Sequence, residues 1–312
     1  MGIEHAALLR NGGYDVDFVN PSKTGGDWPQ PLKWLALPVR LARYVPLLVR
    51  IRCGRYDVIH IHFLSHGLIG VAGGRDFFVH AHGYVAYLQL SSRVEGPLNR
   101  LVLRHAKKVF YVTSDLEPFL ADFAAKAQLL PNPVADQFLA PAQPPSSISK
   151  ILIYLRLDPI KGVEEIFDAA PRLAELVSLD AIATGSLLGK LQIEYGRVVH
   201  FRPPVHHSEA RSLLEGFDAV IGQMRLGALG LSELEALAMG RVVLMRLNRK
   251  FYPGDPPPVV EVNGADDLVS EVKRLQSSPD EVRRLSRAGT EWVRRHHSGA
   301  AFVRALRAAY GV

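Results

Sequence analysis

The stretch Gly227 to Val243, GALGLSELEALAMGRVV, decides the fold. It opens on Gly227 and Gly230 and then turns helical, with Leu231, Leu234, Leu237 and Ala238 at the spacing of one buried helix face. Gly240 stands where a helix C-cap belongs. Val242, Val243 and Leu244 read as a short buried strand. Loop, helix N-terminus and strand in this order are a unit of an α/β protein. The free amides and the positive dipole end of such a helix favour a phosphate. Glu235, one turn inside, could accept hydroxyl hydrogen bonds from a ribose. Glu233 lies roughly 200° round the helix from it and should face elsewhere. An ordinary α/β helix with an exposed glutamate would show the same pattern, so the stretch draws its weight from the rest of the chain.

Working outward, the preceding residues repeat the strand–helix alternation. Strand Ile151 to Tyr154 leads into Arg156-Leu157-Asp158-Pro159-Ile160-Lys161-Gly162 and then a helix from Val163 to Leu176. Arg156 and Lys161 share a loop after a strand, where two cations could clamp a diphosphate or simply be solvated. Strands Leu179 to Thr184, Val198 to Phe201 and Ala219 to Gly222 follow, and helices from Ala265, Pro279 and Gly299 close the chain. Phe138 to Ser149 is rich in Pro and Ser and reads as a linker. The expected domains are 1–145 and 146–295, with 296–312 a terminal helix that packs back on the first.

In the first domain Ile3 to Arg10 reads as a helix and Tyr14 to Val19 as a strand. Strands Asp57 to His62 and Asp76 to His82 each end in a His-x-His, with His60 and His62 on one and His80 and His82 on the other. Residues i and i+2 share a strand face. Without a neighbouring Cys or carboxylate they are poor evidence for zinc, so no bound metal is expected. His80 or His82 instead falls at the carboxyl edge of a parallel sheet, where open α/β folds bind ligands. Residues 31–55 carry Trp34, Tyr44 and a leucine-rich face. Lys33, Arg40, Arg43 and Arg50 fall within roughly 100° of one helical face. This segment is either an interfacial helix on an anionic membrane or a core-packed helix with a solvated basic edge.

Composition bounds these readings. The 312 residues are 48% hydrophobic and 22% charged, with mean hydropathy near zero, which is a globular balance with room for two domains. The lone Cys53 excludes an internal disulfide framework and fits a reducing compartment. A formal charge of +6 suits an anionic ligand or an anionic membrane surface. No zinc-finger, RNP-type or basic-zipper pattern points to nucleic acid. The expected location is cytoplasmic, peripheral on the inner face of the membrane.

Four motifs in order resemble retaining GT-B glycosyltransferases of the family-four, group 1 type. They are FVHAHGYV (78–85), LPNPVADQF (130–138), YLRLDPIKGVEEIFDA (154–169) and the opening stretch. The resemblance implies an α/β chain of two Rossmann-like domains facing across a cleft. It implies a nucleotide-diphosphate-sugar on the carboxy-terminal domain, and transfer to an acceptor, a cell-envelope or lipid-linked glycan, with retention and without a cofactor. Arg156 and Lys161 match the family's diphosphate pair, Glu235 its ribose glutamate, and His82 the catalytic-side histidine near the transferred sugar. The family's first glutamate, eight positions before Glu235, is replaced here by Gly227. The amides of Ala228, Leu229, Gly230 and Leu231 are then the remaining donor-binding groups of that loop. The family's first strand and its Gly-rich loop fall ahead of Met1, so a chain without that strand is expected. Two alternatives stay open: a catalytically impaired nucleotide-sugar-binding protein or partner subunit, and a GT-B nucleotide-sugar epimerase.

Overall fold

A computed structural model describes residues 2–20, 37–83, 86, 90–93, 95–140 and 142–311. The chain divides into two compact units, Met1–Pro131 with Val303–Val312, and Asn132–Phe302. Each is built on an all-parallel sheet, as an alternation of short strands and helices requires.

The second unit holds β5 (Lys150–Ile153), β6 (Ser178–Ile182), β7 (His200–Arg202), β8 (Ala219–Ile221), β9 (Val242–Met245) and β10 (Val260–Glu261). They lie in the order β10-β9-β8-β5-β6-β7. The chain builds outward from β5 through β6 to β7, then crosses back to place β8 on the other side of β5. This reversal between β5 and β8 is the topological switch point. Strand alternation splits the core in two. Ile151, Ile153, Ile221 and Leu244 pack on one face, and Leu152, Val220, Val243 and Met245 on the other, so both faces are apolar and covered.

The stretch read as a linker is tied to this unit. Phe138 is fully buried in its core. The Arg211 guanidinium donates to the carbonyls of Gln137 and Ala140, and the buried Arg241 guanidinium to that of Gln143.

In the first unit β1 (His60–His62), β2 (Phe78–Ala81), β3 (Lys108–Tyr111) and β4 (Ala127–Leu129) lie in chain order. One sheet face carries Val79, Ala81, Val109 and Tyr111 into an apolar core. The other carries His60, His62 and His80, with Phe78 and Phe110. Onto that face come His5 from helix Gly2–Asn11 and Tyr310 from helix Gly299–Tyr310. Residues 14–20, read in part as a strand, form no regular element. Their polar groups are taken by side chains instead of a ladder: the Arg10 guanidinium donates to the Val16 carbonyl at 2.6 Å, and Asp17 accepts from Tyr56 Oη at 2.5 Å and Arg50 at 3.2 Å.

Helix Leu37–Arg52 contains Pro46. Ile51 is its buried anchor, while Val45 and Val49, one turn apart, are more than half exposed. Lys33 and Trp34, and the side chains of Arg40 and Arg43, lie outside the described residues. No described helix is long and apolar enough to cross a membrane.

Candidate functional site

At the carboxyl end of β5 the chain enters the loop of Arg156 and Lys161, and at the carboxyl end of β8 it enters the loop 222–230. Adjacent strands thus deliver both loops at the switch point. They touch: the Met224 amide donates to the Lys161 carbonyl at 2.7 Å. Gly162 makes the approach possible. It sits at φ +69°, and a Cβ there would lie 2.9 Å from Met224 Cβ. Arg156 is exposed and pairs with Asp158 at 3.1 Å. Asp158 is held below the usual carboxylate range, chiefly by the Ser186 amide and then by Ser186 Oγ and the two cations.

The Gly-rich loop is held from inside by two buried polar side chains. Glu233, 2% exposed, accepts from the Gln223 amide and the Gly230 amide, each at 3.0 Å. Gln223, fully buried, accepts from the amides of Arg225 (2.9 Å) and Leu226 (2.5 Å) and donates to the carbonyls of Ala228 and Arg246. Tyr252 Oη accepts from the Leu229 amide at 2.8 Å. Of the loop amides expected to serve a ligand, those of Leu229 and Gly230 are therefore engaged within the protein. The amides of Gly227, Ala228 and Leu231 make no hydrogen bond among the described residues.

Gly227 lies at φ +76°, where a Cβ would meet Asn248 Cβ at 2.7 Å and Asn248 N at 2.9 Å. Its carbonyl accepts from the Asn248 amide at 2.9 Å. Left-handed backbone and close approach both demand glycine.

Glu235 is nearly buried, and both oxygens are occupied. Oε2 accepts from Tyr154 Oη at 3.0 Å, and Oε1 meets His207 Nε2 at 2.9 Å. Burial and the neighbouring carboxylate push the Tyr154 hydroxyl well above the usual phenol range. Arg156, Lys161, residues 227–231 and Glu235 thus come together in the second unit, and His82 belongs to the first.

His82 follows the last residue of β2 and is 4% exposed. Its Nε2 lies 3.0 Å from His62 Nδ1. Burial, then the neighbouring His62, holds it near 3, so it is neutral at pH 7. Beside it Phe63 has φ 69°, the one positive φ outside glycine among the described residues, with its ring 4.8 Å from that of His82. Strained backbone of this kind gathers at functional sites. Sequence reading missed Phe63 and Gln223, and it missed His5, Tyr154 and His207, whose partners lie far off in the chain. The Gly230–Glu233 spacing of a capping box was a signal that could have assigned Glu233.

Solved structures share this fold. The chain is similar to sucrose-phosphate synthase from Thermosynechococcus elongatus, at 18% identity and a TM-score of 0.73 over 99% of this chain and 91% of that one. It is similar to a glycosyltransferase from Rickettsia africae, at 15% identity and TM-score 0.71 over 99% and 93%. It also resembles Anabaena HepE, solved with UDP and glucose, at 14% identity and TM-score 0.69 over 98% and 89%. The fold is that of the GT-B glycosyltransferases. Residues 4–133 match the model of the glycosyl transferase 4-like domain family. No curated protein sequence matches the chain.

Proposed function

We propose that the chain is a glycosyltransferase that takes its sugar from a nucleotide-diphosphate-sugar. The observation that carries this reading is the meeting of two loops at the β5–β8 switch point, one bearing Arg156 and Lys161, the other leading into helix Leu231–Ala238. Arg156 and Lys161 neutralise the diphosphate as it departs, and that negative charge grows in the transition state. The amides of Ala228 and Leu231, without a hydrogen bond among the described residues, lie at or just before the start of helix Leu231–Ala238, where anions are favoured. Glu235 takes the ribose hydroxyls by exchanging its contacts with Tyr154 and His207. His82, neutral, serves the transferred sugar, which leaves with retention. Solved relatives in complex with UDP and glucose or with ADP support a nucleotide donor.

One observation favours a second reading, a nucleotide-sugar binder without turnover. The backbone at Gly227 excludes the acidic side chain expected there. Product analysis with a panel of nucleotide-sugars decides between the two. The proposal expects transferred sugar. Donor binding without turnover supports the second reading, and an isomerised donor an epimerase.

The acceptor is a glycan or lipid-linked glycan at an anionic membrane surface, approached through helix Leu37–Arg52 and the basic residues around it. The exposed Val45–Val49 edge beside Arg50 supports this. Each basic residue near such a surface contributes about 1 kcal/mol, less as salt rises. Flotation with anionic liposomes tests it. The Lys33/Arg40/Arg43/Arg50→Gln variant should float less than the parent at low salt; equal flotation, or none by either, removes the membrane from the proposal.

A further inference from the structure

The histidine-bearing face of the first sheet holds more than the two His-x-His pairs visible in sequence. His5 arrives from helix Gly2–Asn11, and the ring centroids of His5, His62 and His80 form a nearly regular triangle. The sides are 5.0 Å (His5–His62), 5.7 Å (His5–His80) and 5.4 Å (His62–His80). One ring nitrogen of each lies within 4.8 Å of the other two. Three imidazoles bound tetrahedrally at zinc–nitrogen distances of about 2.0–2.1 Å place their ring centroids roughly 5 Å apart.

The outer nitrogens of His80 and His62 are also provided for. His80 is fully buried, and its Nε2 has no hydrogen-bond partner among the described residues. Its Nδ1 lies 3.3 Å from His60 Nε2, and His60 Nδ1 lies 2.6 Å from Tyr310 Oη. His62 Nδ1 lies 3.0 Å from His82 Nε2. One consistent set of tautomers has His80 Nδ1–H donate to His60, His60 Nδ1–H donate to Tyr310, and His62 Nδ1–H donate to His82. That set leaves Nε2 of His80 and of His62 as bare lone pairs. Metal-ligating histidines are arranged in this way, each donating its other N–H outward.

We propose that His5, His62 and His80 form a site for one divalent transition metal, zinc foremost, with a fourth position left to water. Neutral nitrogen ligands without thiolate or carboxylate select zinc, copper or nickel over magnesium or calcium. This departs from the expectation drawn from the sequence, which weighed only the two pairs on the strands and not His5. The site has a structural task within the first unit. Helix Gly2–Asn11 buries only His5 and Ala6, so a shared ion would clip it to β1 and β2. The ion would also fix the tautomer of His62, and through it the orientation of His82. His62, partly exposed, gives the ion a way in.

The test uses full-length protein made without an affinity tag or chelator. Elemental analysis should find about one zinc per chain. After chelation, zinc should return in competition with a chromophoric chelator, and cobalt should give the intense visible bands of tetrahedral coordination. His5→Ala and His62→Ala should each weaken zinc binding roughly hundredfold, while His200→Ala, in the second unit, binds as the parent does. His5 sits on the first helix, so its variant stays informative if a substitution at buried His80 prevents folding. Circular dichroism establishes that each protein is folded. A folded parent that takes up neither metal, octahedral cobalt, or equal zinc affinity in the parent and both ligand variants would overturn the proposal.

Discussion

Two polar clusters, one at the carboxyl end of the second unit's sheet and one on a face of the first unit's sheet, are built on opposite plans. In the second unit Glu233 and Gln223 are buried, and their side-chain oxygens and the Gln223 amide group are matched to loop amides and carbonyls. In the first unit imidazoles face one another, and buried nitrogens of His80 and His82 have no hydrogen-bond partner among the described residues. A satisfied network holds a loop in one shape before any ligand arrives. An unsatisfied one is costly. The difference teaches that the loop of the second unit is held in shape by its own side chains, whereas the first unit keeps buried imidazole nitrogens unmatched among the described residues.

The largest effect expected from breaking this comparison is at Gly227. Gly227→Glu restores the family's acidic residue in sequence but meets left-handed backbone and the Asn248 wall. Strain and overpacking together should cost roughly 4 kcal/mol. Urea unfolding should show that loss, and donor affinity should fall. A gain in affinity at unchanged stability would mean that the loop does not hold the shape described.

Next comes Glu233→Ala, which strands the buried Gln223 backbone amide and the half-buried Gly230 amide. At about 1–3 kcal/mol for each unsatisfied group, a loss of roughly 3 kcal/mol is expected. Donor affinity should drop with it, because the loop is no longer fixed. Glu233→Gln, which keeps the acceptor oxygen, should recover part of the stability. Equal stability of the Ala variant and the parent would remove the preorganised plan from the second unit.

A smaller effect sharpens the contrast from the acid side. His297 is the buried histidine of the second unit. Burial lowers it to about 4, against the opposing pull of its hydrogen bond to the Asn132 carbonyl. Its folded-state value lies below its ordinary one of 6.5, so between these values the unfolded chain binds the proton that the folded chain refuses. Its contribution is full above pH 6.5 and is lost as pH falls toward 4, by at most about 3 kcal/mol. Trp292, whose ring lies 5.1 Å from that of His297, reports the transition by fluorescence. The His297→Gln variant should show a flatter decline between pH 6.5 and 4. An identical slope would place the acid sensitivity elsewhere.

How much was legible follows from how local each feature is. Helix Leu231–Ala238, bounded by Gly230 and Gly240, and the strands on either side of it are written in periodicity and caps, and they stand where the sequence put them. The period of two put each His-x-His pair on one face. Contacts across the fold were not legible. Glu235 meets Tyr154 from 81 residues away and His207 from 28. His5 joins the strand histidines through the placement of a helix that no local spacing records. The strand reading at Tyr14 to Val19 failed because alternation gives a strand only where a neighbour supplies a ladder. There Arg10 takes the Val16 carbonyl instead. Helix Leu188–Tyr195 was passed over, since it buries only Leu191 and so lacks a stripe to read.

The central claim is that the two loops at the β5–β8 switch point bind a nucleoside diphosphate through Arg156 and Lys161. Calorimetric titration of UDP, with ADP and GDP in parallel, into the parent and into the Arg156→Ala and Lys161→Ala variants tests it most directly. Loss of a charge-assisted bond of about 1.5–3 kcal/mol should weaken binding roughly ten- to hundredfold in each variant. Unchanged affinity in both variants, or a folded parent that binds none of the three, would contradict the account.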